Sequence, residues 1–221
     1  PWYEWQANHK LRYPAILDDL YNSERQLIRY QKFLQYLFHV QWLELKTYAN
    51  SKGVKIIGDI PYYTAYDSVE AWASAELFEM NDSGKPYRVA GVPPDYFSET
   101  GQLWGNPLFQ WGHMKQDGFA WWIKRIKKIL DWADIIRLDH FRGFESFWAI
   151  PSDSKTAING QWEKGPGYDF FDALKRELGT LPLIAEDLGD LTDGVDELRK
   201  RVGIPGMKIL QFAFDGNPAN P

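Results

Sequence analysis

The sequence contains no cysteine, only four histidines and no long apolar run. The lack of cysteine excludes disulfides and thiolate metal sites, and we expect a protein of the reducing cytoplasm. The histidines show no ligand-like spacing, so we expect no metal and no other cofactor. No apolar stretch reaches the ~18 residues that span a bilayer, and the opening PWYEW lacks the regions of a signal peptide. We therefore expect no membrane partner.

The charge balance is mildly acidic. Lys and Arg number 25 against 30 Asp and Glu, which gives a net charge of -5. Binding to a nucleic-acid backbone requires a basic face, so we expect no nucleic-acid partner. A hydrophobic share of 44% and a charged share of 25% are typical of a globular protein.

Aromatic side chains are abundant. They make up 16% of the chain, with 11 Trp and 12 Tyr. One interpretation is a large core, because aromatic side chains bury much area. The other is a sugar-binding site, since the apolar face of a pyranose ring stacks on Trp or Tyr. Composition alone leaves both interpretations open.

Short apolar runs alternate with helical patterns. The predicted strands are 54–59, 134–139, 181–186 and 207–214, and the predicted helices are 23–52, 117–133, 168–178 and 192–202. Ser23 and Gln26 have capping-box spacing at the start of the first helix. Gly179 and Gly203 are expected to end the last two helices. This alternation predicts an α/β protein with a parallel sheet, either doubly wound or a (β/α)8 barrel.

The connection that follows the first predicted strand is unusually long and predicts an inserted subdomain over residues 61–116. Within it, Asp95, Tyr96, Gln102 and Trp104 lie between prolines that stiffen the chain and glycines that permit tight turns. Aromatic, amide and carboxylate groups in one loop suit a grip on sugar. An ordinary surface loop with its aromatic rings turned inward would have the same composition.

Three predicted strands end in a carboxylate, at Asp59, Asp139 and Glu186. The carboxyl ends of barrel strands converge on one cavity, and two carboxylates across a cavity suit retaining glycoside chemistry. The apolar stretch before Glu186 favours a raised pKa and the acid/base role. Arg137 lies on the same strand face as Asp139, and its positive charge favours an ionised nucleophile.

Each of these groups also has a plain structural interpretation. A carboxylate at the end of a strand can cap the following helix. Arg137 and Asp139 can form a structural ion pair, and His140 can be a satisfied polar neighbour. The sequence does not identify His140 as a general base.

Several segments together resemble glycoside hydrolase family 77, the 4-α-glucanotransferases or amylomaltases. They are GDIPYY at 58–63, VPPDYFS at 92–98, GQLWGNP at 101–107, IRLDHFRGF at 136–144, IAEDLG at 184–189 and GIPGMKILQFAF at 203–214. They occur in the family's order, and the resemblance runs over nearly the whole chain. IRLDHFRGF resembles the family's nucleophile segment, and IAEDLG resembles its acid/base segment.

The resemblance implies a role for each candidate residue. Asp139 would be the nucleophile and Glu186 the acid/base. Arg137 and Asp59 would lie on the donor-sugar side. The remaining candidates would contact the glucan chain or flank the catalytic groups, and they are Asp95, Tyr96, Gln102, Trp104, His140 and Asp187.

The resemblance further implies that residues 1–221 form part of a (β/α)8 barrel, with about four parallel strands that correspond to roughly strands three to six. The implied reaction moves α-1,4-glucan segments from a maltooligosaccharide donor to glucose or another glucan, without a cofactor. The family also uses a third aspartate in a Thr-His-Asp-Asn-like segment. This sequence contains no such segment.

Three alternatives remain at this point. The first is an α-amylase-like hydrolase, which would share the carboxylate pair. The second is a non-catalytic glucan-binding fragment, because part of a barrel leaves sheet edges open and the third aspartate is lacking. The third is a doubly wound nucleotide-binding protein, which the lack of a glycine-rich phosphate loop disfavours.

Overall fold

The computed structural model describes residues 1–96, 98–189, 191–214 and 216, and of Phe212 only the backbone. The helices are α1 Ala7–Lys10, α2 Pro14–Ser23, α3 Arg25–Ser51, α4 Val69–Ala73, α5 Trp111–Gln116, α6 Ala120–Trp132, α7 Gly167–Leu178 and α8 Asp193–Val202. The strands are β1 Ile57–Ile60, β2 Arg88–Val92, β3 Gln102–Pro107, β4 Ile135–Leu138, β5 Ser146–Pro151, β6 Gln161–Lys164 and β7 Leu183–Ala185. Short 3-10 helices cover Trp2–Glu4, Ala75–Leu77, Phe141–Phe144 and Leu210–Phe214.

A parallel sheet in the order β1-β4-β7 carries the candidate carboxylates. Asp59 is in register with Arg137, and Leu138 is in register with Ala185. Side chains alternate between the two faces of a strand. One face buries Ile60, Leu138 and Ala185 completely or nearly so, whereas the opposite face carries Asp59 and Arg137. The predicted α/β class with a parallel sheet is confirmed.

Helix α6 packs closely on the buried side of this sheet. A Cβ atom on Gly58 would lie 2.8 Å from Cβ of Ala133 and 3.2 Å from Ile129, so only glycine permits this approach. The fully buried ring of Trp122 on α6 lies 5.6 Å from the rings of both Phe109 and Phe144. The abundant aromatics thus build much of the core.

A second sheet is antiparallel, in the order β3-β2-β5-β6. Strands β2 and β3 come from the predicted insertion 61–116, but β5 and β6 lie later in the chain, at 146–164. No strand was predicted from the sequence in that later region. The boundaries at 61 and 116 stay a prediction.

The predicted fourth parallel strand, 207–214, is wrong. The described part of this segment ends in the 3-10 helix Leu210–Phe214, so the described residues contain three parallel strands rather than about four. The chain does start alongside β7, because the amide of Ala185 donates to the carbonyl of Pro205 over 2.8 Å. Proline has no N–H to return to a ladder, which removes one of the bonds that would extend the pairing.

The first predicted helix exists, but it begins differently. Ser23 is the last residue of α2, and its hydroxyl donates back to the carbonyl of Leu20. The capping box with Gln26 is therefore wrong, and α3 begins at Arg25 without a side-chain cap. Gly179 and Gly203 do end α7 and α8, each with positive φ. Among the described helices, none is both long and apolar enough to cross a bilayer.

Candidate active site

A cleft of about 390 Å³ opens beside the carboxyl ends of β4 and β7. Its lining residues come from both sheets and the loops between them, and they are Val92, Pro93, Pro94, Asp95, Gln102, Trp104, Arg137, Asp139, His140, Arg142, Trp162, Glu186, Leu188 and Gly189. The parallel sheet supplies the charged groups. The antiparallel sheet and its loop supply most of the aromatic and proline surface.

Asp139 and Glu186 follow neighbouring strands at the same level. Since Leu138 is in register with Ala185, the next residue on each strand lies side by side with the other. Because side chains alternate along each strand, this register places the two carboxylates on one face of the sheet, on strands that are ~4.8 Å apart. Backbone hydrogen bonds hold this arrangement, from the amide of Asp139 to the carbonyl of Ile60 over 3.1 Å and from the amide of Glu186 to the carbonyl of Leu138 over 2.9 Å.

Arg137 bridges two carboxylates on this face. Its Nη1 donates to Oδ1 of Asp59 over 2.8 Å, and its Nη2 donates to Oδ1 of Asp139 over 2.6 Å. Burial by itself lowers the pKa of Arg137, but the carboxylates of Asp59, Asp139 and Glu186 raise it overall. The guanidinium is therefore a fixed positive charge beside Asp139.

Glu186 has an environment that favours the protonated acid. Burial raises its pKa above the ordinary value, and the negative charge of Asp139 adds to the rise. Two backbone amides act in the opposite direction, since His140 N donates to Oε2 over 2.9 Å and Leu188 N donates to Oε1 over 3.1 Å. Asp139 and Glu186 thus differ, since Asp139 forms an ion pair with Arg137 whereas burial raises the pKa of Glu186.

His140 is held in a strained conformation at the floor of the cleft. Its φ of 53° lies in the left-handed region, which is uncommon for a residue other than glycine. The ring contacts Trp104 edge-on, with centroids 5.0 Å apart, and lies 5.9 Å from Tyr63. Burial lowers the pKa of His140 to about 4, with a further contribution from Arg142. The imidazole is therefore neutral at physiological pH and is suited to hydrogen bonding.

Two tryptophans form aromatic walls of the cleft. Trp104 on β3 donates from Nε1 to Oε1 of Gln102 over 3.0 Å. The guanidinium of Arg142 lies over the ring of Trp162 on β6, 4.0 Å from its centroid. The rings of Trp162 and Trp148 meet edge to face, with their centroids 5.2 Å apart. Arg142 and Trp162 were not among the site residues predicted from the sequence. Arg142 lies inside the quoted motif IRLDHFRGF, whereas nothing near Trp162 indicated a site.

Three of the predicted site residues do not line the cleft, namely Tyr96, Asp59 and Asp187. Tyr96 is 97% exposed and is not among the cleft-lining residues. Asp59 reaches the site only through Arg137. Asp187 points away from the cleft, since its carboxylate binds the amide of Met207 and the guanidinium of Arg199. Substrate contacts by these three side chains stay predictions.

Among the described side chains, no group of three or more carboxylates and histidines could hold a metal ion. The chemistry available in the cleft is that of the neighbouring carboxylates Asp139 and Glu186, together with a third carboxylate, two guanidinium groups, a neutral imidazole and aromatic walls. A parallel α/β sheet that presents such a pair at its strand ends is typical of enzymes acting on glycosidic bonds.

The chain belongs to the 4-alpha-glucanotransferase family, glycoside hydrolase family 77, whose sequence profile matches residues 1–221. It is 48% identical to the 4-alpha-glucanotransferase of Clostridium butyricum over 221 residues, which are 100% of this chain and 45% of that protein. It is 49% identical over 220 residues to the chloroplastic/amyloplastic 4-alpha-glucanotransferase of Solanum tuberosum, covering 100% of this chain and 38% of that protein.

A solved structure supports the same assignment. The amylomaltase of Streptococcus agalactiae in complex with acarbose superposes with a TM-score of 0.94 at 42% identity, over 99% of this chain and 45% of that chain. The present chain thus spans less than half the length of these relatives. The predicted family is confirmed, and the fold matches part of an amylomaltase.

Proposed function

We propose that the full-length protein is a 4-α-glucanotransferase that moves α-1,4-glucan segments from a maltooligosaccharide donor to the 4-hydroxyl of glucose or another glucan. One observation carries the proposal: Asp139 and Glu186 lie side by side on register-matched strands and line a single cleft. Family membership agrees with this reading of the site.

The proposed reaction is a double displacement with retention. The carboxylate of Asp139 attacks the anomeric carbon while protonated Glu186 gives its proton to the departing 4-oxygen of the glucan. A covalent glucosyl-enzyme and a shortened glucan result. The 4-hydroxyl of an acceptor then attacks the same carbon, its proton passes to Glu186, and Asp139 is released as a carboxylate.

The surrounding residues support each half of this cycle. Arg137 donates a hydrogen bond to Oδ1 of Asp139 over 2.6 Å and so fixes the carboxylate that attacks the donor. Burial raises the pKa of Glu186, which favours the protonated form that the first step requires. Trp104 and Trp162 line the cleft as aromatic walls, and a sugar held against them in place of water favours transfer over hydrolysis.

We assign the activity to the full-length protein for two reasons. The 221 residues span less than half of their relatives, and they contain no Thr-His-Asp-Asn-like segment. The closed (β/α)8 barrel, the cytoplasmic location and the catalysis without a cofactor belong to the same proposal.

Incubation with maltotriose tests the proposal. We expect glucose together with maltooligosaccharides longer than maltotriose, and we expect Asp139→Asn to abolish both. Asp82→Asn is the matched control, because Asp82 is an exposed carboxylate outside the cleft lining. Release of glucose and maltose without any longer product would instead identify a hydrolase. Binding of maltotriose without turnover would identify a non-catalytic glucan-binding protein.

A further inference from the structure

Asp187 immediately follows the proposed acid/base, and its side chain is nearly buried on the far side of β7, at 12% exposure. Its Oδ1 accepts a hydrogen bond from the amide of Met207 over 2.7 Å, and its Oδ2 pairs with Nε of Arg199 over 3.1 Å. Arg199 on α8 also pairs with Asp196 over 2.7 Å. Asp187 thus fastens the end of β7 to the segment that follows α8.

The same segment is attached on the other side of Glu186 as well. The amide of Ala185 donates to the carbonyl of Pro205 over 2.8 Å. The residues before and after Glu186 are therefore both bound to the short stretch 205–207. Within the resulting turn, the amide of Leu188 points back and donates to Oε1 of Glu186.

The close contact between Gly206 and Asp187 leaves no room for a side chain at position 206. A Cβ atom at this position would lie 2.0 Å from Oδ2 of Asp187 and 2.6 Å from its Cγ. Any larger residue must displace the carboxylate. The close approach shows that the segment 205–207 and Asp187 fit each other tightly.

We propose that Asp187 and Arg199 are positioning residues, which fix the turn after β7 so that the carboxyl group of Glu186 meets its amide donors and faces Asp139. This inference rests on the proposed function, because it assigns Asp187 a role in that reaction other than contact with the glucan.

The proposal predicts a change in the proton affinity of Glu186 when the attachment is broken. The amide of Leu188 lowers the pKa of Glu186, so a loosened turn that withdraws this amide raises that pKa further. The other charged or titratable groups that line the cleft with Glu186 are Asp95, Arg137, Asp139, His140 and Arg142. The carboxylate of Asp187 binds Met207 and Arg199, so the variants act first on the turn after β7.

Three variants of the full-length protein separate position from charge. Gly206→Ala displaces Asp187 without changing any charge, and Gly112→Ala is its control, since a Cβ there meets nothing within 4 Å. Asp187→Ala and Arg199→Gln remove opposite charges. A purely electrostatic effect would lower the pKa of Glu186 in the first of these two and raise it in the second, whereas a positional effect raises it in both.

The pKa is read from the carbon-13 carboxyl signal of Glu186, assigned by its loss in Glu186→Gln, and circular dichroism verifies folding. We expect a higher pKa in all three variants, about tenfold lower kcat on maltotriose and a KM within about twofold. An unchanged pKa in Gly206→Ala and Arg199→Gln would overturn the proposal even if the wild type is active. A raised KM in Asp187→Ala with an unchanged pKa would also overturn it, in favour of a glucan contact.

The same experiment distinguishes failure of the proposed function from failure of the positioning role. If the wild type does not elongate maltotriose but the pKa of Glu186 rises in the three variants, the positioning of Glu186 stands and the transferase reaction does not.

Discussion

Arg137 is the residue whose replacement tests the electrostatics of the cleft most sharply. It donates to Asp59 over 2.8 Å and to Asp139 over 2.6 Å, and its planar guanidinium can serve both acceptors at once. Lysine keeps the charge but presents it at one point. Arg137→Lys is therefore expected to keep one of the two hydrogen bonds, whereas Arg137→Met loses both and leaves the carboxylates without their cation.

The expected magnitude follows from the number of bonds lost. A hydrogen bond to a charged group contributes ~1.5 kcal/mol at the lower end of its range, which suits side chains that are 28% and 39% exposed. Since ~1.4 kcal/mol corresponds to tenfold in rate, Arg137→Lys should lower kcat/KM on maltotriose about tenfold. Arg137→Met should lower it by at least about 100-fold.

The assay is glucose release from maltotriose, run beside thermal melts that verify folding. Lys46→Met serves as a control for the loss of a cation, because Lys46 binds backbone carbonyls at the end of α6 and lies outside the cleft. A kcat/KM for Arg137→Lys within about twofold of the wild type would refute the view that two-point contact matters. Equal losses in the Lys and Met variants would show that the geometry, not the charge, is decisive.

Three further predictions concern stability and sugar contact. Burial raises the pKa of Glu186 in the folded protein, so the folded state binds the proton more tightly and stability falls as pH rises through this range. The quantity to follow is the melting temperature of Glu186→Gln minus that of the wild type. This difference should increase as pH is raised from below 4.5, the ordinary pKa of glutamate, to neutral pH. A difference that does not change with pH would contradict this. Gly143→Ala places a Cβ atom 2.8 Å from the buried ring of Tyr62 and should cost ~1–3 kcal/mol, seen as a melting temperature lower by about 5 °C; an unchanged melting temperature would show that the ring moves freely. Trp162→Ala removes one wall of the cleft and should raise KM for maltotriose about fivefold, from ~1 kcal/mol of lost ring contact. Trp5→Ala, a half-exposed tryptophan outside the cleft, should leave KM unchanged; an equal effect of both variants would refute the assignment of Trp162.

The parallel sheet could be predicted from the sequence because its signals are local. Short apolar runs bounded by helical patterns marked β1, β4 and β7, and the period of two placed Arg137 and Asp139 on one face. The structure shows the salt bridge between them, with Nη2 of Arg137 2.6 Å from Oδ1 of Asp139. The raised pKa of Glu186 likewise followed from the apolar residues that precede it, although the two amides that oppose this rise come from the folded turn.

The antiparallel sheet could not be predicted in the same way. β6 reads Gln-Trp-Glu-Lys and has no apolar run, and it exists because β5 pairs with it. The strand predicted at 207–214 failed for the converse reason. A short apolar run does not distinguish a strand from a helical turn. In addition, the residue that lies beside the edge of β7 is Pro205, which accepts a hydrogen bond from Ala185 but has no N–H to donate one back.

The cleft itself shows both outcomes. The order of the motifs predicted Asp139, Glu186, Gln102 and Trp104 as site residues. All four line the same cleft in the structure. Asp187 has the same local sequence signal as Glu186, since the two are adjacent, yet successive residues at a strand end face opposite sides. That alternation, together with the capture of Asp187 by Arg199, turns it away from the cleft.

The identity of the residue that carries the sugar is the most direct test of the proposed mechanism. Glu186→Gln lacks the group that activates the acceptor and should therefore slow the breakdown of the covalent intermediate. Incubation of this variant with α-glucosyl fluoride, whose leaving group needs no acid, should leave a glucosyl group bound to the protein. Peptide mass spectrometry should find this group on Asp139, and Asp139→Asn should carry none. A label on any other residue, or an equal label in Asp139→Asn, would contradict the central claim that Asp139 attacks the sugar while Glu186 serves its leaving oxygen.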